Sequence, residues 1–516
     1  MFKIHSLMAG ALLAAATTAT AGGILTNTNQ SIDFLRNPAR DAAIGLDGVY
    51  SNPAGLAFMP EGFHLGVNWQ YAHQTRTIDS TDDLFALGKK NNGQTTKTFE
   101  GVADAPVIPS IQAALVKGDW TVQFNFSIPS GGGRCNFDNG LGSFERAVGQ
   151  IAATFMGLDS FAGTLNAVTG SDITDNRVTG YNMESYMKGR QYYYGFQLGT
   201  SYKVLDNLSV YGGLRLLYGD ATYKARINNI QVRTADGDFD FGTFLPRVSQ
   251  QVAQITPVAT QLLGQLQQKE AAGIALSPEE AGLKSAIENL AATQQAGSLN
   301  SLAKYASGVN LLCNQTGVGI APIVGIDYKL NDHFNFAAKY EFKTQVRMEN
   351  ESTVFEAHEI DAVNKYRDGE EVNEDSPALV TVGAQWSPIS EVRINAGGHY
   401  YFDKQADWYN NAQEKLDHNS YEILAGAEWD VTDRLTISAG GQLTRYGLTD
   451  EYMNDMSFVV NSYSIGFGAN YKVRDNVTLK AAFFQTEYGD YKRQQPTVDT
   501  FTRTNRVLGI GCEVCL

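Results

Sequence analysis

Hydrophobic and polar residues alternate strictly along most of the chain. In the segment 120–128, one set of alternate positions is wholly apolar and consists of Trp120, Val122, Phe124, Phe126 and Ile128. The positions between them are polar, and the same division recurs in the segments 62–72 and 463–471. Because successive side chains of a strand point to opposite faces, this period of two predicts β-strands with one apolar and one polar face.

Fourteen segments show this alternation, and most of them are 11–15 residues long. A tilted strand needs about 9–11 residues to cross a bilayer, whereas strands of soluble proteins more often have about 5 or 6. The lengths therefore favour a membrane barrel. The segments are 62–73, 106–116, 120–128, 190–204, 207–224, 316–330, 333–347, 376–387, 391–403, 419–431, 434–448, 460–473, 476–489 and 502–514.

The connections between these segments alternate in length. Short turns such as 117–119 and 331–332 alternate with long links, of which 129–189 and 225–315 are the longest. Short turns on one side and long loops on the other are typical of outer-membrane barrels. Aromatic residues cluster near the strand ends, where the interfacial girdles of a membrane barrel lie. We predict an all-β fold, a 14-stranded antiparallel transmembrane β-barrel over residues 62–516, with its apolar face towards lipid.

The two longest links carry a different pattern. Between 144 and 168, and between 248 and 306, apolar residues recur at the spacing of one helix face. We therefore predict helical insertions in these extracellular loops.

The N-terminus indicates export. Lys3 is followed by an apolar stretch of small residues from Leu7 to Ala16 and then by an A-x-A cleavage pattern at 19–21. Residues 1–21 are predicted to be a signal peptide, since the apolar stretch is shorter than the roughly 20 residues of a spanning helix. With the barrel pattern, this predicts the outer membrane of a Gram-negative bacterium.

Composition limits the partners. The chain has 55 acidic and 40 basic residues, a formal net charge of −15, and no basic stripe of the kind that nucleic acid requires. A nucleic-acid partner is therefore not expected. The mean hydropathy of −0.24 resembles that of a soluble protein, but two opposite strand faces average to the same value.

The segment 22–61 precedes the first strand and does not alternate. It contains the tripeptide Asn-Pro-Ala twice, at 37–39 and at 52–54. Each copy could be only a turn, because Asn-Pro favours turn initiation. A fourteen-stranded lumen is nevertheless wide enough to need a plug or to leave a hole, so we predict that 22–61 forms a plug.

Candidate chemistry is sparse. The seven histidines have no metal-ligand spacing, and no context such as GxSxG places a nucleophile, so neither a metal, a cofactor nor an enzymatic activity is expected. Four cysteines occur in a chain predicted to be exported. Cys135 and Cys313 fall in inferred external loops and could form a disulfide.

Three stretches carry a resemblance to a known family. The run from Asp41 to Leu56, which contains Asn52-Pro53-Ala54-Gly55, resembles the N-terminal hatch of the FadL/TodX-type outer-membrane transporters of long-chain fatty acids and hydrocarbons. The stretch 106–131 resembles the second and third strands of that family, and Ser376-Pro377-Ala378 is similar to another recurrent block. In architecture the resemblance covers the whole mature chain.

The resemblance implies a transport route. A hydrophobic ligand would be captured at the extracellular loops, pass into an apolar pocket of the barrel and leave sideways after the hatch shifts. Asn52, Pro53, Ala54 and Gly55 would form the moving hatch. Pro129, Ser130 and Gly131 would end the third strand and form the lateral exit, where ladder hydrogen bonds fail.

The helical insertions have two interpretations. They could collect ligand at the mouth through Phe155, Met156, Leu158 and Phe161, or they could only cap the barrel. The expected partners are a fatty acid or hydrocarbon together with outer-membrane lipid and lipopolysaccharide, and we expect a monomer. A general water-filled porin is the alternative function, and an outer-membrane barrel enzyme is a more remote one.

Overall fold

The computed structural model describes residues 30–295, 308–355 and 361–516. The predicted signal peptide at 1–21 lies outside the described residues, as do residues 22–29 of the predicted plug. Residues 30–61 precede β1 and are called the plug below; all but the last few lie inside the barrel. From Gln30 to Ala57 every plug residue is buried except Ile44 and Gly45, which are partly buried.

One antiparallel sheet of eighteen strands forms the described part of the barrel and its extensions. The strands are β1 Gly62–Thr81, β2 Thr96–Lys117, β3 Trp120–Phe137, β4 Val178–Leu205, β5 Leu208–Thr234, β6 Gly237–Asp240, β7 Val309–Lys329, β8 Phe334–Glu341, β9 Arg347–Phe355, β10 Glu371–Asn373, β11 Leu379–Ile389, β12 Val392–Tyr401, β13 Tyr421–Asp430, β14 Leu435–Arg445, β15 Ser462–Arg474, β16 Val477–Tyr488, β17 Tyr491–Arg493 and β18 Val498–Cys515.

These strands occupy fourteen positions around a closed wall. β8 and β9 both pair with β7 and form one interrupted position, and β10 and β11 form the next one. β6 and β17 are short additions to β5 and β18. The wall closes because β1 pairs with β2 on one side and with β18 on the other. The predicted 14-stranded antiparallel barrel is confirmed.

The two faces of each strand are oriented as a membrane barrel requires. On β3, Trp120 and Val122 are 55% and 54% exposed, whereas Thr121 and Gln123 are 0% and 2% exposed. Apolar side chains thus face outwards and polar side chains face the lumen, the reverse of a soluble barrel. This pattern assigns the outer band to lipid and confirms the predicted orientation.

Four helices occur in the described residues: α1 Ile32–Arg36, α2 Gly142–Thr169, α3 Phe241–Ala271 and α4 Pro278–Gln295. None of these helices is both long enough and apolar enough to span a bilayer. Short 3₁₀ turns lie at Leu46–Val49, Pro53–Phe58, Asp83–Leu87, Lys89–Asn91, Asp361–Tyr366, Asp403–Gln405 and Tyr409–Lys415. Both long loops therefore carry helix, as predicted, but the second loop carries a helical pair.

An apolar core fills the barrel above the plug. α2 and α3 meet through the rings of Phe155, Phe241 and Phe244. The inward faces of the extended strands, including Ile78 and Phe99, complete the core. The predicted strands were too short here: β4 begins at 178 and not at 190, and β5 ends at 234 and not at 224. The helices pack into the mouth of the barrel and cap it.

The two cysteines proposed as a pair are far apart. Cys135 lies on β3 and Cys313 on β7, both within strands and not in loops, and both thiols are free. β4 and β5 separate them in the wall, and neighbouring strands lie about 4.8 Å apart. The separation therefore exceeds the roughly 7 Å between Cα atoms that a disulfide can span, and the predicted bridge is wrong.

Candidate functional site

The second Asn-Pro-Ala motif is held by three strands of the wall. Asn52 caps the 3₁₀ turn Pro53–Phe58 by accepting a hydrogen bond from the backbone N–H of Gly55, and proline at the first helical position needs no donor. The Asn52 amide donates to Asp327 of β7 at 2.6 Å. Gln123 of β3 donates to the carbonyl of Pro53 at 2.8 Å, and Ser209 of β5 donates to that of Ala54 at 2.6 Å. These hydrogen bonds replace water at backbone groups that the turn itself leaves unpaired.

A buried ionic cluster fixes the first half of the plug. Glu428 of β13 accepts from Arg36 at 2.6 Å and from Arg40 at 3.0 Å, and it also faces Arg393 of β12 at 3.3 Å. Arg40 additionally pairs with Asp47 of the plug at 2.8 Å. Breaking one member of such a buried cluster leaves an uncompensated charge, so Glu428 is a main anchor of the plug.

Asp33 of α1 joins the plug to the far side of the wall. Its carboxylate accepts from Lys480 of β16 at 2.5 Å and from Arg36 at 2.7 Å. Burial alone would raise the pKa of the Asp33 carboxyl, but the positive charges of Lys480, Arg36 and Arg40 outweigh burial and hold this pKa well below its ordinary value.

This shift predicts how stability depends on pH. Because the pKa of Asp33 is lower in the folded state, its stabilisation is complete above the ordinary carboxyl pKa of about 3.9 and is lost as pH falls towards the folded value. We expect the contribution of Asp33 to the unfolding temperature of the purified barrel to be constant between about pH 7 and 5. Below about pH 4 this contribution should be lost and the unfolding temperature should fall. The variant Asp33→Asn should lower stability at pH 7 and flatten the acid decline, as measured by circular dichroism. A variant that keeps the full acid decline would contradict this assignment.

Inward-facing glycines make room for the plug backbone. A Cβ at Gly466 of β15 would lie 2.0 Å from the carbonyl oxygen of Leu35, and a Cβ at Gly426 of β13 would lie 2.1 Å from the Asn37 side-chain oxygen. Real Cβ atoms do not approach other atoms so closely, so the plug can sit against the wall only because these side chains are absent.

The wall has a gap between β2 and β3. Val102 pairs with Asn136, but the next paired residues are Ile111 and Phe126. Residues 103–110 and 127–135 therefore face each other without ladder pairing. On its other side, β3 is bulged against β4 between Ser127 and Gly133. β3 continues to Phe137, so the expectation that Pro129, Ser130 and Gly131 end the strand is wrong, and they lie inside a kinked strand.

The sequence at the gap explains why the ladder fails. β2 carries Pro106 and Pro109 and β3 carries Pro129, and none of these residues has a backbone N–H to donate. Gly131 has a φ of +124°, which side-chain-bearing residues rarely adopt, and a Cβ there would lie 2.5 Å from the carbonyl oxygen of Gln191. The three prolines lack backbone donors and Gly131 has a positive φ, so β2 and β3 do not form regular backbone hydrogen bonds here.

Gln30 of the plug closes the gap from inside. Its side-chain amide accepts from the backbone N–H of Ile128 at 2.6 Å and donates to the carbonyl of the same residue. Its own carbonyl accepts from Ser110 of β2 at 2.9 Å. One plug residue thus satisfies polar groups of β3 that β2 leaves unpaired and ties both edges of the gap to the plug.

Removing the Gln30 amide should loosen the gap. In Gln30→Ala the Ile128 backbone loses its partner, and a hydrogen bond worth about 1 to 1.5 kcal/mol corresponds to about a tenfold change. We expect amide hydrogen exchange in peptides covering β3 to accelerate about tenfold. The exposed Gln494→Ala is the control, and equal exchange in both variants would show that Gln30 does not hold the gap closed.

A narrow cavity lies between the kink and the opposite wall. Its volume is about 20 Å³, which holds about one water, and it is lined by Ser130, Tyr193, Val346, Glu374, Asp375, Ser376, Pro377 and Trp408. Ser130 thus reaches the lumen, while Gly131 packs against β4. This cavity is too small for any molecule larger than water.

The residues predicted for ligand capture lie on α2. Phe155 and Leu158 are buried in the upper core, whereas Met156 and Phe161 are partly buried at its edge. Only the second pair is accessible without parting the helices. The contacts of Gln30, Glu428 and Asp33 were not predicted from the sequence. Their partners are 98, 388 and 447 residues away in the chain, and no local pattern reports such pairs.

No protein-family model and no curated protein sequence matches this chain. Solved structures do match. The toluene transporter TodX of Pseudomonas putida aligns over 92% of this chain and 94% of its own, with 12% identity and a TM-score of 0.52. A FadL homologue of Pseudomonas aeruginosa aligns over 96% of this chain and 100% of its own, with 12% identity and a TM-score of 0.55. At this identity the likeness shows a shared fold.

Proposed function

We propose that this chain, whose fold is that of the FadL-type outer-membrane transporters, carries hydrophobic small molecules such as hydrocarbons or long-chain fatty acids across a Gram-negative outer membrane. The observation that carries the proposal is the gap between β2 and β3 beside a plugged lumen. The plug blocks the direct path through the lumen, and the gap interrupts the wall at one place. This arrangement suits a ligand that leaves sideways into the bilayer.

Physical chemistry favours a sideways route for such ligands. Each CH₂ group that stays out of water saves about 0.8 kcal/mol, so a hydrocarbon released through the wall never exposes its tail to the periplasm. Val107 of β2 lies at the gap and is 64% exposed on the outer face. A ligand that passed between Ile108 and Ile128 would move from a protein interior into lipid.

The plug would act as the hatch. The proposed hatch comprises residues 22–61, and its moving part is Asn52, Pro53, Ala54 and Gly55. When the hatch moves, the hydrogen bonds of this part to Asp327, Gln123 and Ser209 must break. Each contact is a single hydrogen bond, worth roughly 1 kcal/mol net, so a ligand can shift the hatch without unfolding the barrel. Withdrawal of Gln30 would then leave the gap unsealed.

Capture would begin at the mouth of the barrel. Met156 and Phe161 on α2 offer partly buried apolar surface, and a ligand that parted α2 from α3 would reach the rings of Phe155 and Phe241. The proposed partners are the ligand, outer-membrane lipid and lipopolysaccharide, with the chain acting as a monomer and without enzymatic chemistry.

Uptake by cells tests the proposal. Cells with and without the protein receive radiolabelled oleate, toluene or hexadecane, and the expected result is faster uptake of at least one of them. In the double variant, Pro129→Thr restores one backbone N–H donor and Gly131→Ser disfavours the positive φ of the kink, so uptake should slow. Its control, Pro322→Thr in the outward face of β7, should not. Large, steady conductance in planar bilayers together with unchanged uptake of every apolar compound would instead establish a water-filled porin.

A further inference from the structure

Basic side chains face outwards from three neighbouring strands of the wall, β3, β4 and β5. In the register of these strands, Arg134 lies opposite Arg190, and Lys188 lies opposite Lys224. On β5, Ala225 is buried between two exposed basic residues, so these basic residues point away from the lumen. The cluster is called the basic patch below and consists of Arg134, Lys188, Arg190, Lys224 and Arg226.

Only two members of the basic patch have carboxylate partners within the described part of the chain. Arg190 pairs with Asp220 at 2.8 Å, and Lys188 lies 3.3 Å from Asp138. The other three members are exposed, and none of the ion pairs between described residues includes them. Like charges that lie directly opposite each other on one face repel. An anion that joined the patch would relieve this repulsion.

The other carboxylates near the patch are held by other groups or lie farther away. Across the gap, the carboxylate of Asp104 on β2 lies 2.7 Å from Nδ1 of His73. Glu184, nearer to the loop on β4, accepts a hydrogen bond from Asn229 at 2.7 Å. Glu351 of β9 is separated from β5 by β7. The patch therefore keeps an excess of positive charge, although the whole chain has a formal net charge of −15.

The basic patch lies directly above a belt of outward tyrosines. The rings of Tyr192 and Tyr194 are 6.1 Å apart, and those of Tyr194 and Tyr218 are 6.3 Å apart. From Tyr202, near the short turn, to Tyr192, a tilted strand rises about 25 Å, which is the height of the lipid-facing band of a barrel. Aromatic girdles mark the interface between membrane and water. The patch therefore lies at the level of the lipid headgroups, on the side of the long loops.

Below the tyrosines, the same strands present apolar side chains to the lipid. On β4, Phe196 and Leu198 are 43% and 60% exposed, and on β5 Leu214 and Leu216 are 55% and 36% exposed. The patch itself spans about 10 Å across its three strands. A molecule that fits both surfaces has acyl chains and a headgroup with more than one phosphate.

We propose that the basic patch binds the phosphate groups of a lipopolysaccharide molecule, whose acyl chains lie against the outward faces of β4 and β5. Phosphate oxygens accept charge-assisted hydrogen bonds from arginine and lysine, and arginine binds them with two parallel donors. This inference rests on the proposed outer-membrane location and goes beyond the transport of apolar compounds. Since β3 also borders the gap, the bound lipid would form one side of the exit as seen from the bilayer.

Two forms of one lipid test the proposal. Full-length protein, purified in a non-ionic maltoside detergent and freed of lipid, is titrated with bisphosphorylated lipid A and with the same lipid after removal of its phosphates. Native mass spectrometry measures the bound lipid. The wild type should bind the phosphorylated form about tenfold or more tightly than the dephosphorylated one, because each basic residue near an anionic lipid adds to the affinity.

The double variant Lys224→Gln with Arg226→Gln should weaken binding of phosphorylated lipid A about tenfold or more and leave binding of the dephosphorylated form unchanged. The matched control is Lys472→Gln with Arg474→Gln. It removes the same charge from exposed positions of β15 at the opposite end of the barrel, and it should bind both forms as the wild type does.

The other outcomes overturn the site. Equal binding of both lipid forms by the wild type, or equal losses in the two double variants, would show that the patch does not bind phosphate. Equally tight binding of phosphatidylglycerol would exclude lipopolysaccharide as the specific occupant. If Lys224→Gln with Arg226→Gln does not fold, Arg134→Gln and the two lipid forms on the wild type decide. Uptake is a separate measurement, so a chain that binds phosphorylated lipid A but takes up no apolar compound keeps the site and loses the transport function.

Discussion

Locking the Asn-Pro-Ala motif to the wall should stop transport. A Cβ placed at Gly325 of β7 would lie 3.8 Å from the Cβ of Ala54, which matches the mean Cβ separation of about 3.8 Å in disulfides. The double variant Ala54→Cys with Gly325→Cys should therefore oxidise readily and tether the hatch to β7. We expect uptake of the labelled ligand to fall at least tenfold and to recover when the disulfide is reduced.

The two single-cysteine variants are the controls for this disulfide tether. Ala54→Cys alone and Gly325→Cys alone cannot tether the hatch, so each should transport at nearly the wild-type rate under oxidising conditions. The native Cys135 and Cys313 are buried, and both single variants retain them. Wild-type uptake by a quantitatively oxidised double variant would show that the motif does not move during transport.

Removing the Glu428 carboxylate should release the plug. In Glu428→Gln, Arg36, Arg40 and Arg393 keep their other partners but share one negative charge fewer in a buried cluster. Loss of one partner from a buried ion pair costs about 3–5 kcal/mol. We therefore expect the plug to leave the lumen part of the time. Ion conductance in planar bilayers should then rise severalfold, and large hydrophilic antibiotics should enter cells faster.

A matched surface change separates this effect from a general loss of charge. Glu391 is exposed in the turn before β12, and Glu391→Gln removes the same charge without touching the plug. It should leave conductance unchanged. If Glu428→Gln conducts no more than Glu391→Gln, the plug is not held by the ionic cluster.

The membrane-spanning half of the fold could be predicted from the sequence because one rule governs it. Lipid outside and a polar plug inside force the same alternation on every strand, so β12 to β16 lie within a few residues of their predicted bounds. Above the bilayer this rule reverses. On β1 the inward Gln70 is polar, but the inward Ile78 is apolar and its outward neighbour Asp79 is exposed. The alternation of apolar and polar residues is weak where this reversal occurs. The sequence therefore did not predict the ends of β1 to β5 that extend beyond the bilayer.

The candidate site was predictable only where its chemistry is local. Asn-Pro-Ala and the proline-glycine run at 129–131 stand out because proline and glycine constrain their own backbone. Gln30 and Glu428 have no such signature. Their roles depend on which distant backbone or arginine the closed barrel places beside them, and one sequence does not report that placement. The disulfide was predicted wrongly for the same reason, since two cysteines flanking long insertions need not be neighbours in the wall.

The seam between β1 and β18 has a consequence for the order of assembly. It joins His64 to Cys515, and the plug that precedes β1 pairs with Glu428 and Lys480 from the last quarter of the chain. Because loops must close before contacts of long sequence separation can form, we expect these contacts to form late in folding. We therefore expect the plug to dock only after the final strands are in place. Truncation near the C-terminus should leave both the seam and the plug unfolded. We therefore expect barrel closure and plug docking to occur together, late in folding.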